Sequence, residues 1–341
     1  MPQGRTLLVA VDDSPTSQNA ALFAANNLAR PSDALHLIAI APPPSYAMTP
    51  AAPIASAGAV AALSINWEQQ RKAEEEQCRH MLHKVVHQLP QSRREELNIH
   101  RHVLPAGGGA SGVAESVVAF AKEHSADLVV VGSRGMGAVK STLMSLVGLG
   151  SVSGYLVHHL HCPVVICRGR EEDAQQQTKR KIMVSLDDSE ASRKALEWAL
   201  DNAVGQDDEL HLVCVALPIP YPVVAEDAAA SEVLEADEFD AATQDSIHYA
   251  REIVTKAVDS AAAKVAKDRI FFKALAPEGG ASDVGQSIVH YAKENGVGLD
   301  VLGARGMGSW KRAIMSFVGL GSVSDYVVHH TDSPVVVIKQ H

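Results

Sequence analysis

The sequence predicts an α/β protein made of two tandem, doubly wound domains, each built on a five-stranded parallel sheet. Three observations predict it. The chain repeats itself once, short apolar runs alternate with helix-length segments inside each repeat, and most of those runs are apolar without interruption.

The repeat comes first because it sets the domains. Residues 132–168 align with 303–339 without a gap, 171 positions apart, and 22 of 37 positions are identical, which chance does not give. The same offset aligns Gly108-Gly109-Ala110-Ser111 with Gly279-Gly280-Ala281-Ser282. Upstream, LLVAVDDSPTS (7–17) aligns with IMVSLDDSEAS (182–192) at an offset of 175. The copies therefore differ by four residues in their middles. Two copies, each able to bury its own core, mean a duplicated domain and not a solenoid. The expected boundaries are 1–170 for the first copy, 171–180 for the linker and 181–341 for the second. GREEDAQQQTKR (169–180) is polar, Gln-rich and without apolar periodicity.

In the first copy LLVAV (7–11) reads as a buried strand. Ser14-Pro15 opens a helix with apolar positions Ala20, Ala21, Phe23, Ala24 and Leu28. ALHLIAI (34–40) is the second strand, the Pro/Ala-rich stretch 41–59 an irregular excursion, and 67–89 a long helix with mixed charge on one face. NIHRHVL (98–104) is the third strand, 113–124 a helix, and DLVVVG (127–132) the fourth strand. A glycine loop follows, then a short helix from Ser151 to about His161, then PVVIC (163–167) as the fifth strand. The second copy repeats this order with strands at 182–186, 209–216, 271–275, 299–303 and 334–338, and its excursion, 217–245, is acidic. All strands are expected to be apolar on both faces, in a sheet covered by helices on two sides. Such sheets bind ligands at the carboxyl ends of their strands, where the winding reverses.

Composition narrows the function classes. The net charge of −10 argues against a broad nucleic-acid or anionic-membrane surface. No run of eighteen apolar residues suggests a membrane span, and the N-terminus runs from a short apolar stretch straight into Asp12-Asp13, as a first strand does and a secretory signal does not. Cys78, Cys162, Cys167 and Cys214 form no C-x-x-C pair and read as thiols in a reducing compartment, so a cytoplasmic location is expected.

Chemistry concentrates after the fourth strand. Gly132, Gly135, Gly137, Gly148 and Gly150 lead to Ser151 at a helix N-cap position. Glycines let backbone N–H groups approach a ligand, and a helix N-terminus adds its positive dipole end, so the segment is suited to an anion such as phosphate. Gly303, Gly306, Gly308, Gly319, Gly321 and Ser322 repeat every part. Two better-known phosphate motifs fail. Lys140-Ser141 follows Val139 and not the glycine of a P-loop, and the first strand is followed by Asp12-Asp13-Ser14 and not by a dinucleotide fingerprint. Turn punctuation is the bland alternative for the glycines. Asp12 and Asp187 are well placed, just past the first strand, to accept hydrogen bonds from a ribose or an amine, with a turn or N-cap role as the bland alternative.

V-D-x-S after the first strand and G-S-R-G…G-S-V-S after the fourth resemble the universal stress protein family, tandem form of the ATP-binding type, over nearly all of both copies. The resemblance implies a Rossmann-like fold and bound ATP with Mg2+. It implies that Asp12 lies near adenine and ribose, that Ile40 lines the adenine, and that Gly132, Gly135, Gly150 and Ser151 hold the triphosphate. Asp187, Val215, Gly303, Gly306, Gly321 and Ser322 are the counterparts in the second copy. The family motif has nine residues between its second and third glycines; this chain has fourteen between Gly135 and Gly150, and fourteen again between Gly306 and Gly321. Asp300 aligns with Val129 inside a strand and Ala304 replaces Ser133, so the first copy is expected to bind at least as well as the second.

The remaining signals are weaker. His158, His159, His161 and Cys162 have metal-ligand types, but adjacent residues of a helix point about 100° apart, and no metal site is expected from the protein alone. Arg134, Arg305, Lys140 and Lys311 are loop cations that either touch phosphates or stay solvated. No nucleophile–base pair or paired acids recur in both copies. The reading is an ATP-binding stress-response or signalling module with no or slow turnover; the alternatives are an ATPase or phosphotransferase, and a scaffold or chaperone-like protein with vestigial sites. Partners expected are ATP, a pseudo-dimer of the two copies through their apolar last strands, and a possible homo-oligomer, with protein partners unknown and neither nucleic acid nor membrane.

Overall fold

The computed structural model describes residues 4–42, 57–105, 109–133, 151–168, 179–216, 236–276, 281–304 and 322–339. The chain divides into two compact units, Met1–Gln176 and Gln177–His341. Each is an α/β domain.

The first unit runs β1 (Thr6–Ala10), α1 (Pro15–Phe23, continued by a π-helical turn Ala24–Leu28), β2 (Ala34–Ala41), α2 (Ala57–Gln88), α3 (Gln91–Glu96), β3 (Asn98–Pro105), α4 (Gly109–Glu123), β4 (Leu128–Gly132), α5 (Ser151–His159) and β5 (Val164–Cys167). Its strands lie in the order β3-β2-β1-β4-β5, all parallel. The second unit runs β6 (Lys181–Leu186), α6 (Glu190–Asn202), β7 (Glu209–Val215), α7 (Ala236–Ala261), β8 (Ile270–Leu275), α8 (Ala281–Asn295), β9 (Leu299–Ala304), α9 (Ser322–His330) and β10 (Val335–Lys339). Its order is β8-β7-β6-β9-β10, again parallel. In both units the winding reverses beside the first strand, between β1 and β4 and between β6 and β9. This is the doubly wound, Rossmann-like fold that the sequence predicts.

The central strands are buried along their length, as in LVVV of β4 and IMV of β6, because helices cover both faces. α1 packs with α2, and α4 with α5; right-handed crossovers put the two pairs on opposite faces. The expectation that every strand is apolar on both faces fails at β3 and β8. Each is an edge strand, and His100 and Arg101 in one and Phe271, Phe272 and Lys273 in the other are exposed. Two boundaries also move. Residues 57–59 of the 41–59 excursion and 236–245 of the acidic one are helical, opening α2 and α7. An Ala-rich start suits the first.

One ion pair recurs in both units at the pole opposite the strand ends. The Arg5 guanidinium donates to Asp33 Oδ2 at 2.6 Å and to the Leu28 carbonyl at 2.8 Å, and the Arg5 and Arg30 amides donate to the same carboxylate at 2.9 Å. Arg180 repeats this with Asp208 Oδ2 (2.6 Å) and the Ala203 carbonyl (2.6 Å). Burial pushes the Asp33 carboxyl up, but the Arg5 side chain and the two amides outweigh it and hold it below the ordinary carboxylate value.

Asp300 is fully buried in β9. Its Oδ2 accepts from the Thr331 hydroxyl at 2.8 Å and the Ser333 hydroxyl at 2.7 Å. The aligned residues of the first unit are Val129, Leu160 and Cys162. A carboxyl group and two hydroxyls have thus replaced an apolar trio as a set, which is how a buried polar side chain becomes tolerable. Among the described residues no helix is long and apolar enough to cross a membrane.

Candidate functional site

Both crevices are built from the turn that leaves the first strand. Asp12 folds back on its own helix entry: its Oδ1 accepts from the Ser14 amide at 3.0 Å, from the Ser14 hydroxyl, and from the Ser17 hydroxyl at 2.7 Å. The Asp12 amide donates to Ser17 Oγ at 3.0 Å. Ser14 in turn caps α1, accepting from the Ser17 amide at 3.3 Å, with Pro15 pre-setting the first helical residue. The second unit repeats the device. Asp187 Oδ1 accepts from the Ser189 amide at 2.9 Å and from the Ser189 hydroxyl, and the Ser192 hydroxyl donates to the Asp187 carbonyl at 2.6 Å. The turn role and a ligand role are compatible, because a carboxylate has two oxygens and about four acceptor positions.

The neighbouring strand ends on a glycine for a steric reason. A β-carbon on Gly132 would lie 2.9 Å from the Ser17 nitrogen and 2.9 Å from the Thr16 carbonyl carbon. On Gly303 it would lie 2.6 Å from the Ala191 carbonyl carbon and 2.7 Å from the Ser192 nitrogen. The ends of β4 and β9 therefore press against the first turns of α1 and α6. Ser17 joins the pieces, bonding Asp12 through its hydroxyl while its backbone seats Gly132. After Gly132 the chain stays tied to the sheet, with the Ser133 amide on the Cys167 carbonyl at 2.8 Å and the Ser153 hydroxyl of α5 on the Ser133 carbonyl at 3.4 Å.

Ile40, half-buried near the end of β2, and Val215, buried at the end of β7, sit at the same carboxyl-end pole as Asp12 and Asp187. Ser151 and Ser322 open α5 and α9. Gly135, Gly150, Gly306 and Gly321, with Arg134, Lys140, Arg305 and Lys311, lie outside the described residues. Among the described residues Asp12, Ile40 and Gly132 thus share the carboxyl-end pole of the first sheet, and Asp187, Val215 and Gly303 that of the second.

Sequence reasoning missed what the long helix adds. The Tyr249 hydroxyl of α7 donates to Asp188 Oδ2 at 2.8 Å, tying α7 to the residue after Asp187. Burial, with Glu74 and Asp13 adding to it, pushes the Cys78 thiol of α2 up. Burial pushes Cys214, at the end of β7, up to about 12, and Asp187 adds to this. Thiols held protonated near the crevices are not nucleophiles. The histidine pairs closing α5 and α9 serve their helices: His159 stacks on Tyr155 at 3.7 Å and bonds its carbonyl at 2.8 Å, and His330 does the same on Tyr326 at 3.9 and 2.7 Å. Among the described residues no three His, Cys, Asp or Glu side chains form a metal-holding group.

Fold and crevices together define a duplicated, doubly wound α/β module with one candidate ligand site per domain. A model of the universal stress protein family matches residues 4–168 and again 179–339, and the chain belongs to that family. It is 28% identical over 176 residues to Universal stress protein PHOS34 of Arabidopsis thaliana, covering 47% of this chain and 62% of that one. It is also 28% identical over 199 residues to a universal stress protein of Mycobacterium tuberculosis strain H37Rv, covering 58% of this chain and 59% of that one. The chain spans less than two thirds of the length of these curated relatives. In structure it is similar over 99% of its length, and 97% of the other, to a universal stress protein of Archaeoglobus fulgidus, with a TM-score of 0.57 at 18% identity. Its likeness to a universal stress protein from Pseudomonas aeruginosa has a TM-score of 0.53 at 14% identity, covering 98% and 93%.

Proposed function

We propose that each domain binds ATP with Mg2+ in the crevice where its winding reverses, and that occupancy is read as a stress signal without fast turnover. One observation carries this reading. The Asp-x-Ser turn, the serine that seats it and the glycine strand end recur in both units, although the edge strands, long helices and buried trio around them have diverged.

The described residues fit the adenosine half of such a ligand. Asp12 or Asp187 offers a carboxylate to ribose or amine, and Ile40 or Val215 an apolar wall. The glycine end of β4 or β9 brings backbone close without a side chain in the way. The start of α5 or α9 would meet the phosphates with its N-terminal dipole. Bound Mg2+ would supply charge neutralisation to those phosphates. The protonated thiols at Cys78 and Cys214 argue against covalent catalysis by cysteine. Turnover at ordinary enzymatic rates by the purified chain would replace this reading with an ATPase or phosphotransferase. Inability to take up ATP would leave a scaffold with vestigial sites.

The same reading includes a cytoplasmic setting and a pairing of the two copies through PVVIC (163–167) and PVVVI (334–338). The pairing argument is one of sequence: both runs are wholly apolar ends of a sheet, and one symmetric contact would cover both. Val165→Lys is expected to lower the melting temperature and expose apolar surface to a hydrophobic dye; an unchanged melting curve and oligomeric state would exclude the pairing.

A further inference from the structure

Four histidines distant in sequence meet on one face of the first unit, away from the crevice. His36 of β2 lies beside His100 of β3 with ring centroids 4.8 Å apart, and beside His102 at 5.1 Å with the rings nearly parallel. His36 Nδ1 and His102 Nε2 are 3.1 Å apart, a hydrogen bond that needs one nitrogen protonated and the other bare. His124, at the end of α4, stands edge-on to His36 at 5.2 Å and stacks on Phe120 at 3.8 Å.

The groups acting on His36 from its neighbours are His100 and His102 on β3 and His124 on α4. Its register neighbour on β1 is Leu8. The other charged residues of α4, Glu115, Lys122 and Glu123, are exposed. Burial first, then those three imidazoles, pull His36 down to about 4, and burial with His124 and His100 lowers His102. The second unit keeps the histidine and changes everything around it. His211 Nδ1 is 2.9 Å from the Tyr291 hydroxyl, its ring lies over Phe271, and Glu209 is 3.7 Å from Nε2. Burial, with Lys181 adding to it, lowers His211 too, but the Glu209 carboxylate opposes this, and among the described residues no second imidazole acts on it.

We propose that the imidazole cluster is an acid-triggered latch: on acidification the bonded His36–His102 pair takes up protons among its neighbouring imidazoles, and β3 and α4 come away from β2 in the first unit, while the second unit, with its single His211 beside Glu209, loosens less. The chemistry is direct. A second proton on the His36–His102 pair sets N–H against N–H and abolishes the bond, and clustered imidazolium ions repel. A histidine whose folded pKa lies below its unfolded value binds protons preferentially when released. The latch is therefore whole above about pH 6.5 and weakens progressively from there toward about pH 4. β3 is an edge strand held by one neighbour, so it is the element that can leave.

Hydrogen exchange on the full chain tests this, comparing about pH 7.5 with about pH 5 after correction for intrinsic chemical rates. Protection of 98–105 and 109–123 is expected to fall at least about tenfold, while 270–275 and 281–295 change less than about threefold. His36→Gln is expected to keep the first unit protected at the lower pH, and His124→Gln, which leaves the His36–His102 pair in place, to reduce its acid loosening only in part. Equal protection of 98–105 and 109–123 at both pH values in the unaltered chain overturns the latch. So does equal loosening of both units, or wild-type acid release in His36→Gln.

Discussion

The Gly132 Cα and the Ser17 backbone approach so closely that a β-carbon on Gly132 would sit 2.9 Å from the Ser17 nitrogen. That contact locks the end of β4 to the helix entry carrying Asp12. Gly132→Ala is expected to destabilise the first unit by about 1–3 kcal/mol, since backbone on both sides must give. It should also weaken nucleotide binding there. Gly303→Ala meets backbone still closer, at 2.6 Å, and should cost at least as much. Urea unfolding with calorimetric titration of ATP reads both effects.

The trio Asp300, Thr331 and Ser333 should behave as a unit. Asp300→Val alone removes the shared acceptor of two buried hydroxyls, leaving them their 2.9 Å contact with each other, and is expected to cost about 1–3 kcal/mol. Adding Thr331→Leu and Ser333→Cys recreates the apolar set of the first unit and should recover most of the loss. Denaturation of the single and triple variants checks this; additive losses would contradict it.

Asp33 governs an acid limb. Its carboxyl is held below its unfolded value, so its contribution is whole above about pH 4 and fades as pH falls through the folded value. Asp33→Asn should lose about 3 kcal/mol near neutrality and show a shallower fall of stability in that acid window, measured by urea midpoints across pH.

Asp12→Ala and Asp187→Ala should each remove one ATP site and leave the other. The ranking of the first site above the second rested partly on Asp300. That residue lies three positions before Gly303, near the start of β9, roughly 10 Å along the strand. It marks an altered core and not an altered crevice, which leaves Ala304 in place of Ser133 as the remaining ground. Calorimetric stoichiometry of the two variants decides the ranking, and loss of all binding on Asp187→Ala alone would reverse it.

The strands were legible because a buried parallel strand needs an unbroken apolar run, and runs such as LVVV of β4 and VVIC of β5 admit little else. α3 was not legible. QSRREE has no apolar periodicity, and what holds it is tertiary: the Arg93 guanidinium reaches the Ala29 carbonyl at 2.8 Å and the Ala25 carbonyl at the end of α1. The start of α2 hid in a Pro/Ala-rich stretch that composition alone reads as irregular. At the crevices Asp12 and Gly132 stood out because the repeat preserves them. Tyr249 did not, because the first copy has no tyrosine in its long helix to mark the position. The histidine cluster was invisible because residues 36, 100, 102 and 124 meet only once β2, β3 and α4 pack.

The central claim is that each crevice holds ATP. The direct measurement is nucleotide content: the purified chain is incubated with ATP and Mg2+, freed of unbound nucleotide, denatured, and its released nucleotide identified and counted by chromatography. The account predicts ATP, approaching two per chain and recovered largely unhydrolysed. A chain that arrives empty and releases no nucleotide after incubation would contradict it.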